Sequence, residues 1–580
     1  MQALASSIAA LLRLSPYTPQ SQSSRSAPPT PPPTLNDDVL LFVLSRSSRQ
    51  TVASMMATCH FLYHEGAKVI LRDWPVAFDS IASEHKTLSL LRFIQAEHFS
   101  RCSYVRKLYV SMQPMPDAVA QSLAGLVPCM TSLKSLFLNI EHALESHPGL
   151  LYAFASLRSV DDLVLTGGEH SCELIQSLQS HLVSAQLFFV PTNPEARQRL
   201  YLTPAFHPVI MLRRSALTLK TLICSFWCDI DPRTFVSLSK ALYPNMHTFI
   251  FHESRSLGLA PYIKSFPNLA HLTVGDSSLT PRWDSDYAPL AVIQRNMNLA
   301  RSVASSTGES LSWKQLRDYT GCLVDLWFLG LSCPIPRLYL EDAPTERPPH
   351  ALTDVLAYAR PTELTIAFQR CSLTDVLDTD FLSALRTEGA SGLRHLTLLI
   401  ELGAKDRNLD LGRALEDIVA TISRLKLTYL DIAVNDIGLD ESEGATGAAE
   451  RPVQAHTQLS NAAAVAPNPD GAPRPPASAS AKPLNLGQRT LDEFDVEVLL
   501  SRLPLSIHTL QEAQVSIQSP RRPYGVAMRS ATRAKMKRRT SAPAPAVDQM
   551  SCKEAECERG PDDWWGEMAC GAEYYTLNKL

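Results

Sequence analysis

A short phrase with apolar residues at i, i+3 and i+5 recurs along most of this chain, and it restricts the fold more than any other feature. It reads VRKLYV at Val105, Leu108 and Val110, LKSLFL at Leu133, Leu136 and Leu138, and VDDLVL at Val160, Leu163 and Leu165. It returns as LVSAQL (Leu182, Ala185, Leu187), LKTLIC (Leu219, Leu222, Cys224), MHTFIF (Met246, Phe249, Phe251) and LAHLTV (Leu269, Leu272, Val274). Further on come IPRLYL (Ile335, Leu338, Leu340), PTELTI (Leu364, Ile366), LRHLTL (Leu393, Leu396, Leu398) and LTYLDI (Leu427, Leu430, Ile432). Alternation at the last two positions is the period of a strand with one buried face.

Most neighbouring phrases stand roughly 22–37 residues apart, near or just beyond the ~20–29 of leucine-rich repeats. The segments between them carry helical patterning. Leu411 to Leu425 is the cleanest, with Leu411, Leu415, Ile418 and Ile422 on one face. Strand, turn and helix at a steady rhythm predict an α/β solenoid of parallel strands over residues 74–440, in which each unit covers its neighbour's apolar side and the strands line a concave face. Leu136, Leu163, Leu222, Leu272 and Leu396 are then expected to lie buried in one sheet. The rhythm is irregular. No phrase in register falls between Val274 and Ile335; Val324, Trp327 and Leu329 offer one, but Trp327 stands too close to Leu338 for a full repeat.

Ahead of the repeats lies a different unit. Asn36 and Asp37 offer N-cap oxygens, and Val39, Leu40, Val43 and Leu44 follow at helical spacing. Arg46 to Gln50 is a polar break. Val52, Met55 and Met56 make a second apolar stripe, and Phe61, Leu62, Ala67 and Ile70 a third. Three short helices bury little alone and need a partner or the next domain.

The flanks read as disordered. Proline is unusually frequent, 41 residues against 23 glycines, and clusters at both ends and near residue 470. Residues 1–33 form a tail. Its start, with Arg13 and no acid before Asp37, permits a mitochondrial transit segment, but the polar tail is the preferred expectation. Residues 441–487, rich in Ala, Pro, Ser, Gly and Asn, read as a disordered insertion. Residues 488–518 read as a C-terminal cap, with one amphipathic helix over Leu491 to Leu503 and closure by Ile507 to Ile517. Residues 519–580 form a basic, then acidic tail. In it, Lys535, Lys537, Arg538 and Arg539 are a candidate nuclear import signal. Trp564 and Trp565 offer either a partner anchor or a contact back onto the solenoid.

The first unit, TLNDDVLLFVLSRSSRQTVASMMATCHFLYHEGAKVILRD over residues 34–73, resembles the F-box. The likeness rests on Leu35, Asp38, Val39, Leu40, Val43 and Leu44, then Val52, Met55 and the Thr58-Cys59 pair ahead of Phe61. It departs at Leu35-Asn36, where Leu-Pro is usual, and at the Ser and Arg residues between the helices. Its order ahead of degenerate leucine-rich repeats is similar to fungal F-box families. That resemblance implies a substrate-recognition adaptor of a Skp-cullin-F-box ubiquitin ligase. Leu35, Asp38, Val39, Leu40, Val43, Leu44, Val52 and Met55 would dock a Skp-type adaptor of the cullin-RING ligase, and the repeats would hold a protein substrate. The alternative is a leucine-rich-repeat scaffold outside any ligase.

Catalytic motifs are missing from the sequence: there is no Walker lysine loop, GxGxxG, HExxH or GxSxG. Gly167-Gly168 reads as an isolated turn, and the 16 histidines as without ligand spacing. Cys552 and Cys557 lack the second pair that zinc requires. The expectation is therefore no enzyme, no cofactor and no metal. Twelve scattered cysteines suit reduced thiols in the cytoplasm or nucleus. A net charge of −4 and the lack of a long apolar run argue against nucleic acid and membranes as partners.

Overall fold

The computed structural model describes residues 36–190, 203–225, 241–252, 260–275, 288–303, 313–342 except 315, 350–368, 381–436, 484–518 and 529–532, with isolated positions at 195–196, 199–200, 373, 377 and 439. Residues 1–35, most of 441–487 and nearly all of 519–580 lie outside these. So do Leu35, Trp564, Trp565 and the import-signal residues Lys535, Lys537, Arg538 and Arg539.

Three helices open the described chain: α1 (Asp37–Arg46), α2 (Arg49–Met56) and α3 (His60–Asp73). The Asn36 side chain caps α1 by accepting from the Asp38 N–H at 3.0 Å, and Ser48 caps α2. The expected polar break is only the two residues Ser47 and Ser48. The helices close on a small core of Leu44, Val52, Leu62 and Val69, distinct from the main core.

A single sheet follows, its strands paired in strict sequence order. They are β1 (Val76–Asp79), β2 (Lys107–Ser111), β3 (Ser135–Asn139), β4 (Asp162–Gly167) and β5 (Ser184–Phe189). Then come β6 (Thr221–Ser225), β7 (Thr248–His252), β8 (His271–Gly275), β9 (Asp318–Cys322) and β10 (Arg337–Asp342). The last are β11 (Glu363–Phe368), β12 (His395–Leu402), β13 (Tyr429–Asp436), β14 (Glu512–Gln518) and β15 (Arg529–Thr532). Every pairing from β1 to β14 is parallel; β15 alone runs antiparallel, against β14.

The register is that of the repeated phrase. Its i+3 residues stand opposite one another, from Leu108 through Leu136, Leu163, Ala185, Leu222 and Phe249 to Leu272. The five test leucines are all buried in this sheet. A second thread holds the stack together at i+1. The Arg106 carbonyl accepts from the Lys134 and Ser135 N–H groups, the Lys134 carbonyl from Asp161 and Asp162, and the pattern continues to Thr428, which accepts from Gln511 and Glu512. Pro336 occupies this position once and has no N–H, so only Arg337 donates there, to the Arg317 carbonyl. Each main-chain group at the start of a strand is thereby satisfied by its neighbour.

The structure departs from or adds to the expectations at several places. The silent interval holds β9, carried by Leu316, Tyr319 and Gly321, while Val324, Trp327 and Leu329 belong to a helix, Leu323–Leu329. β1 precedes the first phrase, with Val76 and Phe78 buried, followed by α4 (Glu84–Gln95). The helix expected over Leu491 to Leu503 is two, Leu486–Glu493 and Val496–Ser506, because the Asp495 carboxylate accepts from the Glu497 and Val498 N–H groups and starts a new one. The first of these begins inside the segment expected to be an insertion, capped by Asn485. β14 is a regular member of the sheet, and β15 lies in the segment expected to be a tail.

Candidate functional site

Side chains at i+3 and i+5 point into the helix-covered core, so those at i+2 and i+4 form the opposite face of the sheet. Among the described residues they are mostly half-buried. The register places the i+4 side chains in one row across the sheet. Its first half is largely apolar: Tyr109, Phe137, Val164, Ile223 and Ile250, interrupted by Gln186. Tyr109 and Phe137 stack with centroids 4.2 Å apart and planes 18° apart. The second half is hydroxylated, Thr273, Thr320, Tyr339, Thr365 and Thr397, followed by Asp431 and Gln514.

Beside the hydroxyl row, acidic i+2 side chains face imidazole or guanidinium groups across strands. The Asp318 carboxylate lies between His271, at 2.5 Å, and Arg337. Glu363 approaches His395 at 3.7 Å. Oδ1 of Asp431 is buried with no hydrogen-bond partner among the described residues, and desolvation raises the pKa of this carboxyl. The face thus changes from apolar to polar along its length.

The second candidate surface is the helical module. It splits the eight predicted docking residues. Leu44 and Val52 are fully buried in the small core, and Leu40 and Met55 pack on it. Val43 is half-buried and Asp38 exposed. Val39 is 48% exposed and Phe42, which sequence reasoning passed over, 64%. Val39 and Phe42 stand three residues apart and share a helix face, and among the described residues of the module they are the most exposed large apolar side chains.

Among the described residues no three His, Cys, Asp or Glu side chains converge as metal ligands. Burial pushes the Cys102 thiol up to about 11 and the Cys172 thiol well above its ordinary value, which disfavours the thiolate at both. No described helix is long and apolar enough to cross a membrane. Sequence reasoning missed one histidine pair: His60 and His64 stand four apart on α3, and their Nε2 atoms are 2.9 Å apart.

Gly167 and Gly168 are more than an isolated turn. A Cβ on Gly167 would strike the Ser171 hydroxyl and the Glu141 carboxylate. Glu141 reaches across from the preceding repeat to accept from the N–H groups of His170 (2.9 Å) and Ser171 (3.1 Å) and from the Ser171 hydroxyl (2.6 Å).

No protein-family model matches this sequence. No curated protein matches it.

Proposed function

We propose that the chain is a substrate-recognition adaptor of a Skp-cullin-F-box ubiquitin ligase. On this proposal α1–α3 dock the Skp-type adaptor and the open sheet face holds a protein substrate. The observation that carries it is the separation of the two cores. The helical module packs Leu44, Val52, Leu62 and Val69 into a small core of its own, with Leu71 of α3 alone joining the main core among its fully buried leucines, yet leaves Val39 and Phe42 in water. A mere cap would turn its apolar side chains toward the sheet it covers. The long open face of a repeat sheet is a surface for another protein, and an adaptor acts by raising the local concentration of substrate rather than by chemistry of its own.

The test is a pull-down of the full chain with a purified Skp-type adaptor. The informative variant is Val39→Asp with Phe42→Asp, because both positions are exposed and the small core stays intact. Two desolvated, unpaired charges in the interface should cut affinity on the order of 100-fold. Adaptor binding that is absent in the wild type, or unchanged in the folded double variant, would leave the chain as a repeat scaffold outside any ligase.

A further inference from the structure

We propose that His60 and His64 form a two-histidine site for a late transition-metal ion, with Glu97 as its supporting carboxylate. Positions i and i+4 place both imidazoles on one face of α3. Their Nε2 atoms are 2.9 Å apart and their ring centroids 4.2 Å apart, with planes at 71°. Two metal–nitrogen bonds of about 2.0–2.1 Å at the tetrahedral angle place their nitrogens about 3.3–3.4 Å apart, so the pair would open by about 0.4–0.5 Å to hold a Zn²⁺ ion.

The other nitrogen of His64 is engaged. Its Nδ1 lies 2.5 Å from Glu97 Oε1. A carboxylate on Nδ1 favours the proton there and turns the Nε2 lone pair toward His60 Nε2, with which it shares a hydrogen bond; a metal ion would take the place of that bridging proton. Glu97 is itself pinned. Arg101 Nη2 donates to the same oxygen at 2.6 Å, and the Arg101 side chain is only 1% exposed. Its guanidinium lies 4.7 Å from the Tyr63 ring centroid and 4.5 Å from that of Phe93.

The backbone supplies an independent observation. Glu97, His98 and Phe99 have φ of 58°, 55° and 67°, three consecutive residues other than glycine in the left-handed region. Such backbone is unfavourable and persists where the surroundings over-determine it, often at functional sites. Here the turn joins α4 to the short helix Ser100–Tyr104 and sets the Glu97 carboxylate against His64.

Among the described residues no third histidine, cysteine or carboxylate joins the pair as a ligand. The remaining coordination positions are open to water or to a donor from a bound protein. Imidazole donors suit Zn²⁺, Ni²⁺ or Cu²⁺ rather than Mg²⁺ or Ca²⁺.

The experiment is calorimetric titration of the reduced full chain, without an affinity tag, with Zn²⁺ and separately with Mg²⁺. Thiols elsewhere also take up Zn²⁺, so the readout is the difference between variants. His60→Gln and His64→Gln should each lose one equivalent of Zn²⁺ relative to wild type. Glu97→Gln should keep that equivalent with affinity about 10-fold or more weaker, and Mg²⁺ should give no heat in any chain. His60 is exposed, so His60→Gln leaves the thermal transition where it was and keeps the comparison valid. Equal stoichiometry in wild type and His60→Gln would overturn the site. Unchanged affinity in Glu97→Gln would overturn the carboxylate's role. Neither result depends on the adaptor, so this inference and the ligase proposal fail separately.

Discussion

The Tyr319 hydroxyl oxygen lies 2.9 Å from the point a Cβ on Gly321 would occupy. These residues fill the i+3 and i+5 positions of β9, where the other repeats mostly place two aliphatic side chains. The long phenol takes the room of both, and its hydroxyl donates to the Cys322 carbonyl at 3.2 Å. Gly321 adopts φ 149°, and a Cβ there would also strike the Val274 carbonyl oxygen of the neighbouring strand. Gly321→Ala should therefore cost about 2–3 kcal/mol. Tyr319→Phe, which loses one hydrogen bond, should cost about 1 kcal/mol. Urea denaturation checks both, and a Gly321→Ala chain as stable as wild type would refute this account of the strand.

That pair also explains what the sequence concealed. Where Leu or Phe fills i, i+3 and i+5, as at Leu133, Leu136 and Leu138, strand and register were legible from spacing alone. At β9 two unlike residues share one job, and no single-position pattern registers a Tyr–Gly exchange of volume. β1 was hidden because it has no full phrase, only Val76 and Phe78. The split at Asp495 was hidden because an acid inside an amphipathic run reads as its polar face, whereas here it caps the next helix. The docking stripe was legible as apolar helical spacing, but spacing does not say which side chains turn inward. Leu44 and Val52 did, and Phe42 did not. His60 and His64 become significant only with Glu97, more than thirty residues away.

Residues on neighbouring strands but opposite faces of the sheet should respond in opposite ways. Leu396 is fully buried, whereas Thr365, on the neighbouring strand and the opposite face, is half-buried. Leu396→Asp would place an unpaired charge in the stack and should cost 4 kcal/mol or about that, enough to lose the cooperative transition. Thr365→Lys should stay within about 0.5 kcal/mol of wild type. Thermal unfolding followed by circular dichroism separates the two, and a folded Leu396→Asp chain would count against the inward assignment.

Glu141 links consecutive repeats. Its buried carboxylate stands at the N-terminal end of the helix Glu169–Ser177, where anions are stabilised. Glu141→Ala strands the His170 and Ser171 N–H groups and should cost about 2–3 kcal/mol. Hydrogen exchange should quicken at those two amides more than in β12 or β13. Uniform quickening across the sheet would show a global loss of stability instead of a local link.

Asp431 sets a pH dependence of unusual sign. Desolvation raises its carboxyl pKa in the folded chain, and its Oδ1 has no partner among the described residues. Its neighbours in register, Thr397 and Gln514, carry no charge to offset the carboxylate. Below the unfolded value of about 3.9 both states are protonated and the residue is neutral to stability. Between that value and the raised folded one, the folded chain keeps a proton that the unfolded chain has released. Stability contributed by this group therefore falls as pH rises through that window, and the penalty is complete above it. Asp431→Asn keeps the shape without the charge. It should match wild type near pH 3 and exceed it at pH 7 by up to about 1 kcal/mol, a small figure because the side chain is only half-buried. Urea midpoints at the two pH values measure the difference. A variant less stable than wild type at pH 7 would show that the carboxylate is held by a partner, and would remove Asp431 as a charged group on the open face.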